Sequence, residues 1–309
     1  DEVIVSNGSK QSLYNTFSVI CSPGDKVIVP TPCWVTYPEQ IKLAGAQTVL
    51  VQTKESNDFK ITVQDIKKAI NSNTRGIVLN NPNNPTGSVY TEIELKEIAA
   101  YALKKSLWIV VDEIYEKLIY DDKKHISLAS LKPDLKDSVI TINGLSKSYS
   151  MTGWRIGYAV GPKKVIKAMK KVQGHSTGNI NSIAQKAAIE ALVGPQDNIS
   201  MMRDAYRKRR DKIIKILNRL KEIKYNIPSG AFYVFLNITE LYGSRVNGRL
   251  IKDDIDLTKY LLEEAHIAVV PGLSFHYPGY IRLSYATSMN NIEIGMKRFV
   301  SAVEKLKIK

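Results

Sequence analysis

Hydrophobic positions in the first half of the chain fall in short β-branched runs, at residues 3–6, 26–29, 47–51, 75–80, 107–112, 138–142 and 155–160, and these predict strands. Between most of them, apolar residues recur at helical spacing, over 9–20, 35–44, 63–70 and 91–104. Strands alternating with helices predict an α/β fold: a mostly parallel, seven-stranded type of sheet with helices on both faces. After about Gln196 the pattern changes. One long helix places Ile213, Ile216, Leu217 and Leu220 on one face, strands come next at 231–236, 267–270 and 280–285, and a helix near 291–306 closes the chain. This divides the chain into a large domain over 1–195 and a smaller α+β domain over 196–309, with the long helix as connector.

The chain has 309 residues, 44% hydrophobic and 24% charged, which is ordinary for a globular protein able to bury a substantial core. A net charge of +14 and a pI near 9.5 raise the question of a nucleic-acid partner. The densest basic run, Arg207-Lys208-Arg209-Arg210, lies in the long helical pattern and reads as its solvated face, so no nucleic acid is expected. Cys21 and Cys33 are too few for a disulfide framework, which favours a reducing cytoplasm. No apolar run reaches the ~20 residues that cross a bilayer, so no membrane partner is expected. The four histidines are scattered without paired ligand spacing, and no metal is expected. The chain opens at Asp1-Glu2-Val3-Ile4-Val5, already in a strand-like run and without an initiator methionine, which reads as a fragment.

In open parallel sheets, ligands collect at the carboxyl ends of strands, and the notable polar residues fall there. Gly8-Ser9-Lys10 succeeds the first strand and opens a helix, so its amides suit an anion; a simple N-cap at Ser9 is the other reading. Asn80-Asn81-Pro82-Asn83-Asn84-Pro85-Thr86-Gly87 reads as a rigid turn that also projects Asn84 into the crevice. Asp112 ends a strand, where it either caps the next helix or serves a site, and Tyr115 stands three residues later. Trp34 is core packing or a platform for a flat ring. In Ser146-Lys147-Ser148-Tyr149-Ser150-Met151-Thr152-Gly153-Trp154-Arg155, a lysine precedes an arginine by eight positions, a pairing suited to a ligand with both an aldehyde and a phosphate.

Asn83-Asn84-Pro85-Thr86-Gly87, Asp112-Glu113-Ile114-Tyr115, Ser146-Lys147 and Met151 to Tyr158, in this order and spacing, resemble the fold type I aminotransferases that use pyridoxal 5′-phosphate. The resemblance runs over essentially the whole chain. It implies that Lys147 holds the cofactor through a Schiff base and that Arg155 binds its phosphate, with Ser146 and the amides of Gly8, Ser9 and Lys10. It implies that Asp112 pairs with the pyridine nitrogen, that Tyr115 and Asn84 donate to the ring oxygen, and that Trp34 stacks on the ring. A freed Lys147 amine would then act as general base. Arg282 matches the arginine that grips the substrate α-carboxylate. Lys10, with the segments 33–38 and 269–272, is similar to a bacterial aspartate aminotransferase subgroup in which the matching lysine reaches a distal carboxylate. Trp34 and Asn84 would also face substrate.

Two positions depart from the pattern. Gly144 stands where several relatives carry a phosphate-binding serine, and no partner-subunit arginine for the distal carboxylate can be located. The segment that normally precedes residue 1 carries a glycine at the substrate carboxylate and a tyrosine crossing the dimer interface. The expected function is transamination between L-aspartate and 2-oxoglutarate by a cytoplasmic homodimer with ping-pong kinetics. The alternatives are a broader aromatic or prephenate aminotransferase, or the aminotransferase-like sensor domain of a transcription regulator.

Overall fold

The computed structural model describes residues 1–306. The apolar runs of the first half form one seven-stranded sheet in the order β1-β7-β6-β5-β4-β2-β3. These strands are β1 (Val3–Ser6), β2 (Lys26–Thr31), β3 (Gln47–Gln52), β4 (Thr74–Asn80), β5 (Trp108–Asp112), β6 (Val139–Gly144) and β7 (Gly157–Val160). From β3 through β6 all neighbours are parallel, while β7 runs antiparallel to both β6 and β1. The helices that accompany the sheet are α1 (Ser9–Ile20), α2 (Thr36–Leu43), α3 (Val63–Ala69), α4 (Glu92–Lys104), α5 (Lys163–Ser176) and α6 (Ser182–Val193).

The strands are apolar at nearly every position because both faces are covered. Successive side chains point to opposite faces. Val27, Val29, Val78, Val110 and Ile140 meet Leu13 and Phe17 of α1, Ile41 of α2 and Met169 of α5. Ile28, Ile77, Leu79, Ile109 and Val111 meet Ile66 of α3 and Leu95 and Ile98 of α4. Capping boxes at Thr62/Asp65 and Thr91/Glu94 fix where α3 and α4 begin.

The long α7 (Asp197–Leu217) leads into the second half. There β8 (Lys224–Tyr225), β9 (Tyr233–Asn237), the small hairpin β10 (Arg245–Val246) and β11 (Arg249–Leu250), α8 (Asp254–Ala265), β12 (Val270–Pro271), β13 (Tyr280–Ser284) and α9 (Met289–Glu304) come in order. Four of these strands make an antiparallel sheet, β12-β13-β9-β8. Its core joins Ile213, Leu217, Val234, Leu236, Leu261 and Phe299, and takes in Ile114, Tyr115 and Leu118 from the loop after β5. That loop, shared between the two halves, lines a cavity with Ser9, Lys147 and Arg282.

Several elements differ from expectation. α5, α6 and α8 were not anticipated; in α5 the apolar Val165, Ile166 and Met169 are diluted by lysines. The strand expected from 155 starts at Gly157, because Arg155 is left-handed at φ 57°. The strand expected from 231 starts at Tyr233 because Ala231 is also left-handed at φ 57°. The basic run on α7 is not wholly a solvated face. Arg210 is 4% exposed, forks onto Asp121 at 2.7 and 2.9 Å, and lies over the Tyr120 ring.

At Gly157 the β1–α1 turn crosses β7 so closely that a side chain would strike the Gly8 and Ser9 backbone. Gly157→Ala is expected to cost roughly 1–3 kcal/mol of stability, measured as a lower urea midpoint at unchanged slope. A midpoint equal to the parent's would contradict this packing.

Candidate active site

The carboxyl ends of β1, β4, β5 and β6 open onto a cavity of about 400 Å³. At one end, Gly8 is the N-cap residue of α1 and Ser9 its first residue, so Ser9 is not the cap. The Ser9 hydroxyl instead donates to the Asn143 carbonyl at 2.8 Å. The left-handed Arg155 turns its guanidinium back toward this turn, donating to the carbonyls of Thr152 (2.8 Å) and Asn7 (3.3 Å). The Gly8 amide, expected to serve an anion, is taken by the Ser6 carbonyl at 2.7 Å, so the amides of Ser9 and Lys10, the helix N-terminus and the guanidinium are what converge on one spot, an arrangement suited to an anion. Gly144 also belongs here. A side chain at that position would run into the Ser9 hydroxyl at 2.7 Å and the Ile156 carbonyl at 2.8 Å, so Ser9 Oγ fills the space a serine at 144 would need.

The floor of the cavity is Asp112, 3% exposed. Its Oδ2 accepts from the Tyr37 hydroxyl at 2.7 Å and its Oδ1 from the Ile114 amide at 3.2 Å. No ion pair among the described residues involves it. Burial pushes its carboxyl up to about 6, against the lowering effects of the Tyr37 and Ile114 hydrogen bonds. Lys147 lines the same cavity. Burial holds its ammonium below the usual lysine range, the charges of Arg155 and Arg282 press it further down, and Asp112 opposes them. Trp34 packs edge-on against Tyr37, with centroids 5.5 Å apart, and the Lys10 ammonium sits 5.0 Å above the Trp34 ring.

On the side toward the small sheet, Arg282 of β13 donates through Nη1 to Asn84 Oδ1 at 2.8 Å. Because a guanidinium only donates, this fixes the Asn84 amide with its NH₂ left as a free donor. Asn84 is itself held by its backbone amide on Asn80 Oδ1 at 2.7 Å. Arg282 Nε is buried without a partner, and burial lowers the proton affinity of this guanidinium. The Tyr115 hydroxyl lies 2.9 Å from that of Tyr233, and burial raises Tyr115 well above the ordinary tyrosine range.

The structure therefore brings Ser9, Lys10, Trp34, Asn84, Asp112, Tyr115, Ser146, Lys147, Arg155 and Arg282 to one cavity, with Gly8 at its rim. Sequence reasoning missed Tyr37, Tyr233 and Thr152, which line it too. Tyr37 carried a usable signal, since it stands three residues after Trp34 and so shares its side of a helical turn. Thr152 sits in the segment already singled out, where its hydroxyl donates to the Ser146 carbonyl at 3.0 Å. Outside the cavity, Glu113, Glu116 and His125 bring ligand-type atoms within 4.8 Å of one another, a grouping the scattered histidines did not suggest. The Glu113 carboxylate there already accepts the Leu128 amide and contacts His125, each at 3.2 Å.

A model of the family described as aminotransferase class I and II matches residues 1–299. An aspartate aminotransferase of Geobacillus stearothermophilus is 48% identical over 297 residues, covering 96% of this chain and 75% of that protein. A probable aspartate/prephenate aminotransferase of Rickettsia felis is 44% identical over 311 residues, covering 100% of this chain and 76% of its own length. Among solved structures, the aspartate aminotransferase from Rhizobium meliloti superposes with a TM-score of 0.96 at 38% identity, over 99% of this chain and 77% of that one.

The raised Asp112 carboxyl makes a prediction for the protein without added ligand. Between pH values near 3.8 and 6 the folded state holds a proton there that the unfolded chain has released, so its burial costs stability as pH rises through that window. Asp112→Asn is expected to stabilise the protein by roughly 1–3 kcal/mol at pH 8. The advantage should vanish toward pH 4. Thermal melts of both proteins at the two pH values test this, and a difference independent of pH would refute it.

Proposed function

Because this chain belongs to the aminotransferase class I and II family, we propose that its cavity binds pyridoxal 5′-phosphate and that it transfers amino groups between L-aspartate and 2-oxoglutarate. The observation that carries this reading is the convergence of Lys147, Asp112, Arg155 and Arg282 on one cavity. The donor set fits the cofactor. A buried carboxylate without an ion-pair partner is costly, and a protonated ring nitrogen opposite Asp112 would offset that cost. The turn that opens α1, through the amides of Ser9 and Lys10, would take the phosphate with Ser146 and Arg155. Trp34 would cover the ring, and Tyr115 and the free Asn84 NH₂ would donate to its oxygen.

When bound, pyridoxal 5′-phosphate supplies an aldehyde for the amino group and a ring that takes up the electrons left as Cα loses its proton. The chain's own residues do the rest. Asp112, acceptor-only once ionised, would keep the proton on a ring nitrogen placed opposite it. Lys147, whose proton affinity is lowered by burial, would be first the covalent anchor and, once released, the base that carries the proton from substrate Cα. Arg282 has an unpartnered buried Nε to offer a substrate α-carboxylate in a two-pronged grip. One 2-oxo acid leaves before the next binds, which is a ping-pong sequence.

The acidic preference rests on Lys10, whose ammonium lies over Trp34 at the cavity and is free to meet a distal carboxylate. The Rickettsia felis relative, named for both aspartate and prephenate, favours a second reading in which an aromatic precursor is also accepted. We further propose a homodimer, supported by the exposed Ile183, Ile189, Leu192 and Val193 of α6. A cytoplasmic setting is supported by two free, buried cysteines, and a division into domains near residue 196 by the separate cores on either side.

Lys147→Ala should lose the visible absorbance that pyridoxal phosphate acquires on binding and lower transamination by at least about 10²-fold. An unchanged spectrum and rate would remove the assignment. A panel of amino donors with 2-oxoglutarate, scored by glutamate formed, tests the substrate. Lys10→Ala should raise KM for aspartate roughly tenfold or more and leave that for alanine nearly unchanged; equal effects on both would end the case for Lys10.

A further inference from the structure

Tyr233 on β9 touches two other residues of the cavity. Its hydroxyl is 2.9 Å from that of Tyr115, and the Arg282 guanidinium lies 4.3 Å from its ring centroid. Both tyrosines are buried, at 6% and 3% exposure, so water does not compete for the shared hydrogen bond. Phe232 locks them in place, packing on Tyr115 at 5.4 Å and on Tyr233 at 4.7 Å between centroids.

Only one proton can lie between the two oxygens. If Tyr115 donates to Tyr233, it has no proton left for a ligand. If Tyr233 donates, the Tyr115 proton is turned into the cavity. Burial raises both hydroxyls and the Arg282 charge lowers both, so neither effect selects the donor. A ligand oxygen at the cavity selects it: once Tyr115 turns its one proton to that oxygen, it can only accept from Tyr233 across the 2.9 Å between the hydroxyls. The other charged or titratable groups facing Tyr115 are Asp112 from β5 and Arg282 from β13, and Lys147 from the loop after β6 lies over Phe232 at 5.8 Å.

We propose that Tyr233 is a positioning residue whose hydroxyl donates to the Tyr115 oxygen, so that Tyr115 presents its own proton to the cavity, while its ring carries Arg282. The inference rests on the proposed binding of pyridoxal 5′-phosphate, since a ring oxygen of that cofactor is what would receive the proton.

The first measurement is on the parent protein. Pyridoxal phosphate added to it must give a visible band that changes with pH; no such band overturns the cofactor reading and this inference with it. With the band present, Tyr233→Phe keeps the ring and loses only the hydroxyl. Its ring oxygen would be less well stabilised, so the pH midpoint of the band should rise by roughly 0.5–1 unit. The kcat should fall about three- to tenfold with KM for aspartate within about twofold. Tyr233→Leu, which removes the ring below Arg282, should raise KM as well. In a Tyr115→Phe background, Tyr233→Phe should move the midpoint no further. A midpoint unchanged by Tyr233→Phe in the parent, or shifted equally in both backgrounds, overturns the proposal.

Discussion

A carboxylate without a cation partner, buried at the end of the central strand of a parallel sheet, is the constraint around which the rest of this structure is arranged. Asp112 is held by one hydroxyl and one amide, and neither offsets the loss of water around a full charge. Every strand neighbour of β5 contributes to keeping that position rigid. Asn80 of β4 donates through its side chain to the Asp112 carbonyl at 2.9 Å, and β6 delivers Lys147 just past its own end. The sheet covers its faces with ordinary apolar helices and concentrates its electrostatic cost at one edge, where a ligand of opposite charge can relieve it.

How much of this was legible from sequence depends on the range of the interaction. Alternation of β-branched runs and helical spacing revealed the layers, because strand and helix periods are local properties. The segment around Lys147 and Arg155 was legible for the same reason, its residues being close in the chain. Tyr233 was not, since its partner is 118 residues away, and Tyr37 was legible only through its nearness to Trp34, its bond to Asp112 spanning 75 residues that only sheet topology brings together. Arg210 misled because a helix of mixed lysine and arginine looks uniformly solvated. The acid that buries it, Asp121, comes from a turn 89 residues earlier. Strand starts at 155 and 231 were misplaced because nothing in an arginine or an alanine announces a left-handed backbone.

Of those left-handed residues, Ala231 sits where the two cores approach each other. Ala231 donates its amide to the Leu118 carbonyl at 2.9 Å and accepts from the Tyr120 hydroxyl. Arg210 braces the same region by donating to the Pro228 carbonyl at 3.1 Å. The Ser229 and Gly230 amides both meet the Gly87 carbonyl, so the turn carrying Asn84 is tied to the strand carrying Tyr233. Strained backbone at such a seam persists because its surroundings over-determine it.

The crowding around Gly144 has a consequence for the sheet itself. A side chain at 144 would meet the Ser9 hydroxyl at 2.7 Å, but also the Ile156 carbonyl at 2.8 Å and the Gly157 Cα at 2.9 Å. Emptying position 9 would remove only the first of these contacts. The other two belong to the backbone at the start of the neighbouring strand, so position 144 can gain a side chain only if β6 and β7 move apart. The freedom of this one residue is thus set by the spacing of the sheet and not by any side chain near it.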